Sequence, residues 1–206
     1  MTENKKPYHH GNLRQSLIDQ ATVMISEVGV EKLSMRGLAQ VAGVSRTAAY
    51  HHFKDKNELL CAIAEQGFTH WLEMFSGLEQ QTPERLEEWL TQFVRAYVDF
   101  ACEYQEEYDL MFGRPIWKAG EPTDSLRQQA AECFHRYVLF IEQWQKIGVF
   151  SNEIEALRLT QVSWSTLHGM CRLLNDGIYL DRASLDAMCQ AVVQILTGLV
   201  NNAKKS

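Results

Sequence analysis

Residues 34–56 carry small, hydroxyl, basic and aromatic side chains in an order suited to contact with DNA. Arg36 and Arg46 can each donate two hydrogen bonds to O6 and N7 of guanine. Thr47 and Ala48 can touch the methyl group of thymine. Two further residues offer hydroxyl groups to phosphate oxygens, namely Ser45 and Tyr50. The side chains therefore predict a surface that contacts both the base edges and the backbone of a duplex.

This surface requires two short helices joined by a tight turn, and the sequence indicates both. Ser34 and Ser45 are suitable N-caps, because a serine hydroxyl can accept a hydrogen bond from the first turn of a helix. Gly43 favours a turn between the helices, and Ala39 supplies a small side chain where they cross. Apolar residues are expected to hold the pair against the preceding helix: Leu38, Val41, Val44, Ala49 and Phe53. This layout is typical of a helix-turn-helix unit, whose second helix enters the major groove.

Residues 33–39, 43–45 and 49–56 resemble the N-terminal domain of the tetracycline-repressor (TetR) family of transcription regulators. The run Tyr-x-His-Phe-x-x-Lys is the most diagnostic part of the resemblance. The resemblance implies phosphate contacts for four residues: Ser34, Tyr50, His52 and Lys56. It also implies that another four face base edges or nearby phosphates: Arg36, Arg46, Thr47 and Ala48. Lys56 begins a predicted helix, whose N-terminal N–H groups and dipole would also favour a phosphate.

The charges of the chain are unevenly distributed, although its net charge is -6. Residues 1–56 contain eight Lys or Arg and five Asp or Glu, which gives +3, and the remainder carries -9. Phosphate attraction is screened within about 8 Å at physiological salt. A basic N-terminal unit can therefore bind DNA while an acidic body faces away from it.

Other chemistries have little support. Adjacent histidines on a helix, such as His51 and His52, point about 100° apart, and no other ligand stands at a suitable spacing, so no metal site is expected. No nucleotide-binding, nucleophile-elbow or zinc-protease motif occurs, so we expect neither an enzyme nor a cofactor. The five cysteines stand singly, which favours reduced, buried thiols over a metal site; a redox-sensing thiol remains an alternative.

The apolar periodicity predicts an all-α fold of about nine helices. A three-helix DNA-binding domain is expected over residues 1–56, and an effector-binding and dimerisation domain over 57–206. The helices of the first domain are a helix over 11–28 and the two short ones described above. In the second domain we expect helices over 56–78, 83–104, 106–112, 124–147, 152–175 and 184–202, with an irregular stretch over 113–122.

Most aromatic residues of the chain lie in the second domain, where they can pack as a core or line a cavity for an apolar effector. Candidates for that pocket are Phe93, Tyr97, Phe100, Tyr104, Phe112, Trp117, Phe134, Tyr137, Trp164 and His168. Trp164, His168 and Gly169 form a W-x-x-x-H-G run that resembles the C-terminal domain of one branch of the TetR family. His168 either packs inside the bundle or orients a polar group of the ligand, and Gly169 is expected to let another element approach.

The last two predicted helices, near 153–175 and 184–202, expose more apolar surface than one bundle buries, and the resemblance implies that they form a homodimer interface. Two symmetry-related domains could then bind half-sites about 34–36 Å apart. The sequence thus predicts a ligand-responsive regulator, most often a repressor in this family, that binds a palindromic operator and is released by an effector. The alternative is a DNA-binding architectural or partner-controlled protein without an effector. The N-terminus resembles no secretory signal and no run spans a membrane, so a cytoplasmic location is expected.

Overall fold

The computed structural model describes residues 13–80, 86–178 and 182–201, and within those ranges every regular element is a helix. This confirms the all-α fold class. The N-terminal unit consists of α1 (Leu13–Val28), a 3-10 turn (Val30–Lys32), α2 (Met35–Val41) and α3 (Arg46–His52). Gly11, where the first helix was expected to begin, lies outside the described residues.

Serine caps and one glycine set the geometry of α2 and α3. The Ser34 hydroxyl accepts a hydrogen bond from the N–H of Gly37, and that of Ser45 accepts one from Ala48, both at 3.1 Å. Gly43 has a φ of 67°, a left-handed conformation that side chains with a Cβ rarely adopt. The backbone conformation of this turn therefore favours glycine at position 43.

Helices α2 and α3 pack against each other, and α2 also packs on α1. Leu38, Ala49 and Phe53 have no exposed surface, and Ala42 is also buried. Val41 is 63% exposed, so the expectation that it holds the pair of helices is wrong. The buried stripe of α2 passes through Leu38 and Ala42, and Val41 lies beside that stripe.

Helix α4 (Lys56–Glu79) runs from the N-terminal unit into the body. Its N-cap is Asp55, whose carboxylate accepts a hydrogen bond from the N–H of Glu58 at 2.8 Å. The Glu58 carboxylate in turn accepts one from the N–H of Lys54 at 2.6 Å. This reciprocal arrangement resembles a capping box shifted by one residue, and it fixes where α4 begins.

Six further helices complete the body: α5 (Leu86–Glu103), α6 (Gln105–Met111), α7 (Arg114–Trp117), α8 (Asp124–Lys146), α9 (Ala156–Asn175) and α10 (Arg182–Asn201). The described residues thus contain ten α-helices rather than about nine, because α7 lies within the stretch expected to be irregular. Pro115 does not prevent α7, since proline is tolerated in the first turn of a helix. The predicted start at Pro83 falls outside the described residues.

Two helix starts differ from expectation. Helix α9 begins at Ala156 and not near Asn152, because the Gln145 side-chain amide donates to the carbonyl oxygens of Ser151 and Ile154, both at 2.7 Å, and holds this segment as a loop. Helix α10 begins at Arg182, two residues before Ser184.

Aromatic rings form the centre of the body. The ring of Phe75 on α4 meets those of Phe93, Tyr137 and Phe140 edge to face, at centroid distances of 6.1, 5.7 and 5.4 Å. Trp89 on α5 stacks on Phe140 at 4.7 Å. These contacts bind α4, α5 and α8 into one core. None of the helices in the described ranges is long and apolar enough to cross a bilayer.

Candidate DNA-binding face and internal cavity

Helix α3 separates a buried face from an exposed one. Ala49 and the adjacent Phe53 are fully buried, whereas Arg46, Thr47 and Tyr50 are exposed. This is the disposition expected of a helix that inserts into a groove: one face holds the fold and the other is available to a duplex.

The other residues expected to contact DNA surround this face. Ser34, Arg36 and Ser45 are exposed, while Ala48 and His52 are half-buried. The serine oxygens already accept helix N–H groups, but each hydroxyl keeps its hydrogen for donation to a phosphate. The structure brings these positions together around α2 and α3, and their DNA contacts remain predictions.

Lys56 has a partner within the protein. Its ammonium donates to the carbonyl oxygen of Val30 at 2.5 Å and approaches that of Glu31 at 3.4 Å. Asp55 and Glu58 also place two carboxylates at the start of α4. Lys56 therefore ties the 3-10 turn to α4, and a phosphate at this helix terminus would have to compete with the protein's own groups.

A narrow cavity lies in the body, between α4, α6, α8 and α9, with room for about one water molecule. Eight residues line it: Phe68, Trp71, Met111, Phe112, Cys133, Phe134, Tyr137 and Trp164. Four of these were expected from the sequence, namely Phe112, Phe134, Tyr137 and Trp164.

The polar hydrogens of the lining residues are already donated to other groups of the protein. The Cys133 thiol donates to the carbonyl of Phe68 at 3.7 Å, and the Trp164 indole N–H donates to the Tyr97 hydroxyl at 2.9 Å. The Tyr137 hydroxyl lies 2.9 Å from that of Ser163. Burial raises the pKa of both Cys133 and Tyr137 to about 12, so both groups are protonated and neutral near pH 7.

The six other pocket candidates lie elsewhere. Phe93, Tyr97 and Phe100 are buried in the core. The Tyr104 ring packs at a tilt of 31° against that of His70 beside an acidic surface groove, with ring centroids 4.2 Å apart. Trp117 is 39% exposed and its indole N–H donates to the carbonyl of Met111 at 2.7 Å.

His168 belongs to a buried hydrogen-bonded chain. Its Nδ1 lies 2.8 Å from the Tyr108 hydroxyl, which lies 3.3 Å from that of Tyr97, the acceptor of the Trp164 indole. Burial, aided by the charge of Arg172, lowers the pKa of His168 and favours the neutral imidazole. In this structure Trp164 and His168 therefore orient α9 against α5 and α6.

The expectation for Gly169 is not met within one chain. Apart from the neighbouring backbone of its own helix, no described atom lies within 4 Å of the point where a Cβ would stand, so no other described element approaches this residue closely. Gly169 instead lines an open, mainly apolar groove between α9 and α10, together with Met170, Leu173, Met188, Val192 and Ile195.

A chain of hydrogen-bonded polar side chains, which no sequence motif predicted, connects the body to the N-terminal unit. The Glu107 carboxylate on α6, 4% exposed, accepts hydrogen bonds from His70 at 2.8 Å and from Gln66 at 2.9 Å. The Gln66 carbonyl oxygen accepts one from the Gln15 side chain on α1 at 2.5 Å. In the sequence, these hydrogen bonds are indicated only by the spacing of four residues between Gln66 and His70, which places both side chains on one face of α4.

Helix α6 also packs closely on α4 at Gly67. A Cβ at this position would stand 2.6 Å from the Met111 sulfur, so the absence of a side chain permits the approach. Met111 and Phe112 line the cavity, and Glu107 lies one turn earlier on the same helix. Helix α6 thus contacts the cavity, packs on α4 and carries one end of the chain of polar side chains that leads to α1.

Comparison with known proteins accounts for both parts of the chain. Residues 17–63 match the family model for bacterial regulatory proteins of the tetR family, and residues 90–196 match the tetracyclin repressor-like C-terminal domain. The transcriptional repressor AcnR of Corynebacterium glutamicum is 25% identical over 94% of both chains. A Rhodococcus sp. RHA1 protein of unknown function superposes with a TM-score of 0.81 at 30% identity, covering 96% of this chain and 100% of that one.

A third protein, similar in fold, was solved with a ligand. The transcriptional regulator FadR of Bacillus subtilis, solved in complex with stearoyl-CoA, superposes with a TM-score of 0.66 at 17% identity, over 91% of this chain and 99% of that one. A similarity at this level of identity concerns the fold. Relatives such as AcnR, and the proteins of the matching family, are transcriptional regulators, which confirms the expectation that the chain is not an enzyme.

Proposed function

This chain belongs to the TetR family of DNA-binding transcriptional regulators, and from that premise we propose that it is a dimeric repressor released from its operator by a small molecule. In the proposal residues 1–56 form the DNA-binding domain, 57–206 bind the effector and dimerise, and the protein acts in the cytoplasm. The operator is a palindrome with one half-site for each α3 of the dimer.

One observation carries the ligand response: α6 contacts the cavity, α4 and the polar chain to α1. Met111 and Phe112 line the cavity, and Glu107 on the same helix holds Gln66 and, through it, Gln15. A ligand that displaces Met111 also displaces the helix that carries Glu107. The ligand then shifts the equilibrium between two positions of the N-terminal domain relative to the body, by no more than its differential binding free energy for the two arrangements.

The groove between α9 and α10 supports the dimer. Val162 and Ile195 expose 52% and 58% of their surface next to it, and Gly169 leaves open space for a second backbone. Exposed apolar surface of this kind is typical of an interface between chains. A second copy of the chain would cover it and hold two α3 helices at a fixed separation.

The test measures effector binding and DNA affinity on the same protein. Duplex DNA from the region upstream of the gene is titrated by fluorescence anisotropy, with and without a compound that raises the melting temperature. The proposal expects such a compound to weaken DNA binding. In Glu107→Gln, the compound should still bind but its effect on DNA affinity should shrink, whereas Glu106→Gln on the same helix should behave as wild type.

A compound that stabilises the protein without changing DNA affinity would refute the coupling. Equal affinity for upstream and random DNA would favour the alternative of an architectural protein without an effector.

A further inference from the structure

The chemistry of the cavity restricts what it can bind. We propose that the effector is a neutral, flat aromatic molecule of one or two rings, and that the cavity rejects carboxylates, phosphates and long acyl chains. This inference rests on the proposed function, since it names the ligand class for that same site.

Charge is the first restriction. The eight residues that line the cavity are aromatic or sulfur-containing, and none carries a formal charge at neutral pH. An anionic ligand would therefore find no Lys, Arg or protonated His in the lining. An ion buried without a partner is strongly disfavoured, whereas a neutral ring loses little on leaving water.

Hydrogen bonding is the second restriction. The Cys133 thiol, the Tyr137 hydroxyl and the Trp164 indole are all engaged with groups of the protein. A ligand with many hydroxyl or amide groups would lose its bonds to water and gain none from these side chains unless it broke an existing one. Sugars and peptides are excluded on the same ground.

Shape is the third restriction. Trp164 lies at 33° to the ring of Phe134 and at 72° to that of Phe112, with centroid distances of 5.2 and 5.4 Å. A flat ring that takes the place of the Phe134 ring can pack against the face of Trp164 and meet the edge of Phe112. A flexible chain gains no comparable contact from this arrangement.

The size of the ligand depends on which lining side chains can move. The cavity has room for about one water molecule, so a ligand must displace side chains. Phe112, Phe134 and Trp164 are half-buried and form its outer side, and Met111 is unbranched and adapts readily. Rotation of the Phe134 ring towards solvent would vacate roughly the volume of one benzene ring, and an apolar cavity of about 150 Å³ suffices for benzene in another protein. Displacement of the Met111 side chain as well would admit a second fused ring.

A matched pair of probes tests the ligand class. Naphthalene and 2-naphthoate share a ring system and differ by one carboxylate, and stearoyl-CoA supplies a long acyl chain with a charged head group. Binding is measured by ligand-observed NMR and by the shift in melting temperature. We expect naphthalene to bind at least about 100-fold more tightly than 2-naphthoate, because the carboxylate would be buried without a partner.

Equal or tighter binding of 2-naphthoate or stearoyl-CoA would overturn the proposal, and so would the absence of naphthalene binding at saturation.

Two variants locate the binding. Phe134→Trp fills the cavity and should weaken naphthalene binding at least about tenfold, while Phe134→Ala enlarges it and should strengthen binding. Leu139→Ala, at an exposed position of the same helix, is the control and should leave binding unchanged. Phe134→Ala keeps the test decisive if the larger side chain prevents folding, and unchanged affinity in that variant would contradict the assignment.

The two proposals fail differently. Naphthalene that binds in the cavity without changing DNA affinity would contradict the ligand-responsive function and leave the ligand class intact. A charged or acyl compound that binds and releases DNA would contradict the ligand class and leave the function intact.

Discussion

The Glu107 carboxylate on α6 lies 2.8 Å from Nδ1 of His70 on α4, in a position where Glu107 is 4% exposed. A carboxylate is rarely buried without a structural or functional reason, because its charged form loses hydration. Here the Gln66 side-chain amide donates to the second carboxylate oxygen, and its carbonyl oxygen accepts a hydrogen bond from Gln15 on α1. The relationship thus joins the cavity-lining helix to the DNA-binding domain.

Burial gives Glu107 a predictable effect on stability against pH. Desolvation raises its pKa above the ordinary value of 4.5, and His70 and Gln66 only partly oppose this. The folded state therefore holds the proton more tightly than the unfolded state. The resulting stabilisation is complete below pH 4.5 and is lost as the pH rises through the folded-state pKa.

We expect Glu107→Gln to reduce this loss of stability as the pH rises above 4.5, as measured by urea denaturation at several pH values. Glu106→Gln should keep the wild-type dependence. Identical pH profiles for wild type and Glu107→Gln would contradict the assignment.

Phe53 and Tyr50 should separate stability from DNA binding. Phe53 is fully buried, so Phe53→Ala should lower the free energy of unfolding by about 3–5 kcal/mol. Tyr50 is 50% exposed, and Tyr50→Ala should change stability by no more than about 0.5 kcal/mol while weakening DNA binding. Chemical denaturation and fluorescence anisotropy measure the two effects. A large loss of stability in Tyr50→Ala would mean that this side chain supports the fold.

The stability of the protein should fall when the central hydroxyl of the hydrogen-bonded chain behind Trp164 is removed. Tyr108→Phe leaves His168 and Tyr97 without a shared partner, and should cost about 1–3 kcal/mol of folding free energy. Tyr137→Phe is the milder comparison, since the Ser163 hydroxyl still donates to the carbonyl of Thr160 at 3.1 Å. Thermal unfolding monitored by circular dichroism ranks the two variants. No loss of stability in Tyr108→Phe would show that this hydrogen-bonded chain is dispensable.

Charged residues in the groove between α9 and α10 should prevent dimerisation. Ile195→Glu buries an unpaired carboxylate in the proposed interface and should convert the dimer into a monomer in sedimentation velocity. Leu139→Glu, at a comparably exposed position on α8, should leave the assembly unchanged. A persistent dimer in Ile195→Glu would place the interface on another surface.

Local signals predicted the fold well. Serine caps predicted where α2 and α3 begin, and apolar periodicity predicted α4 to within about one residue at its end, because the forces that begin and end these helices act over one turn. The start of α9 was missed because Gln145, on the preceding helix, holds residues 151–154 as a loop. Only the folded chain brings that side chain to those carbonyl groups.

The cavity was predicted less completely for a related reason. An aromatic ring at helical spacing looks the same in sequence whether it packs in a core, as Phe93 does, or lines a space, as Phe134 does. Phe68 and Cys133 became lining residues through the contact of α4 with α8, which no local pattern indicates. The buried role of Glu107 likewise depends on partners 37 and 41 residues away.

The central claim is that α3 reads DNA through its exposed face, and Arg46→Ala tests it most directly. Binding sites are first selected from a random duplex library, and affinities for the selected and a scrambled duplex are then compared. We expect a two-fold symmetric site, and a loss of about 5- to 150-fold in the preference for it in Arg46→Ala. Tyr50→Ala, at an expected phosphate contact, should instead weaken binding to both duplexes to a similar extent. An unchanged preference in Arg46→Ala, or a selection that yields no site, would contradict the account.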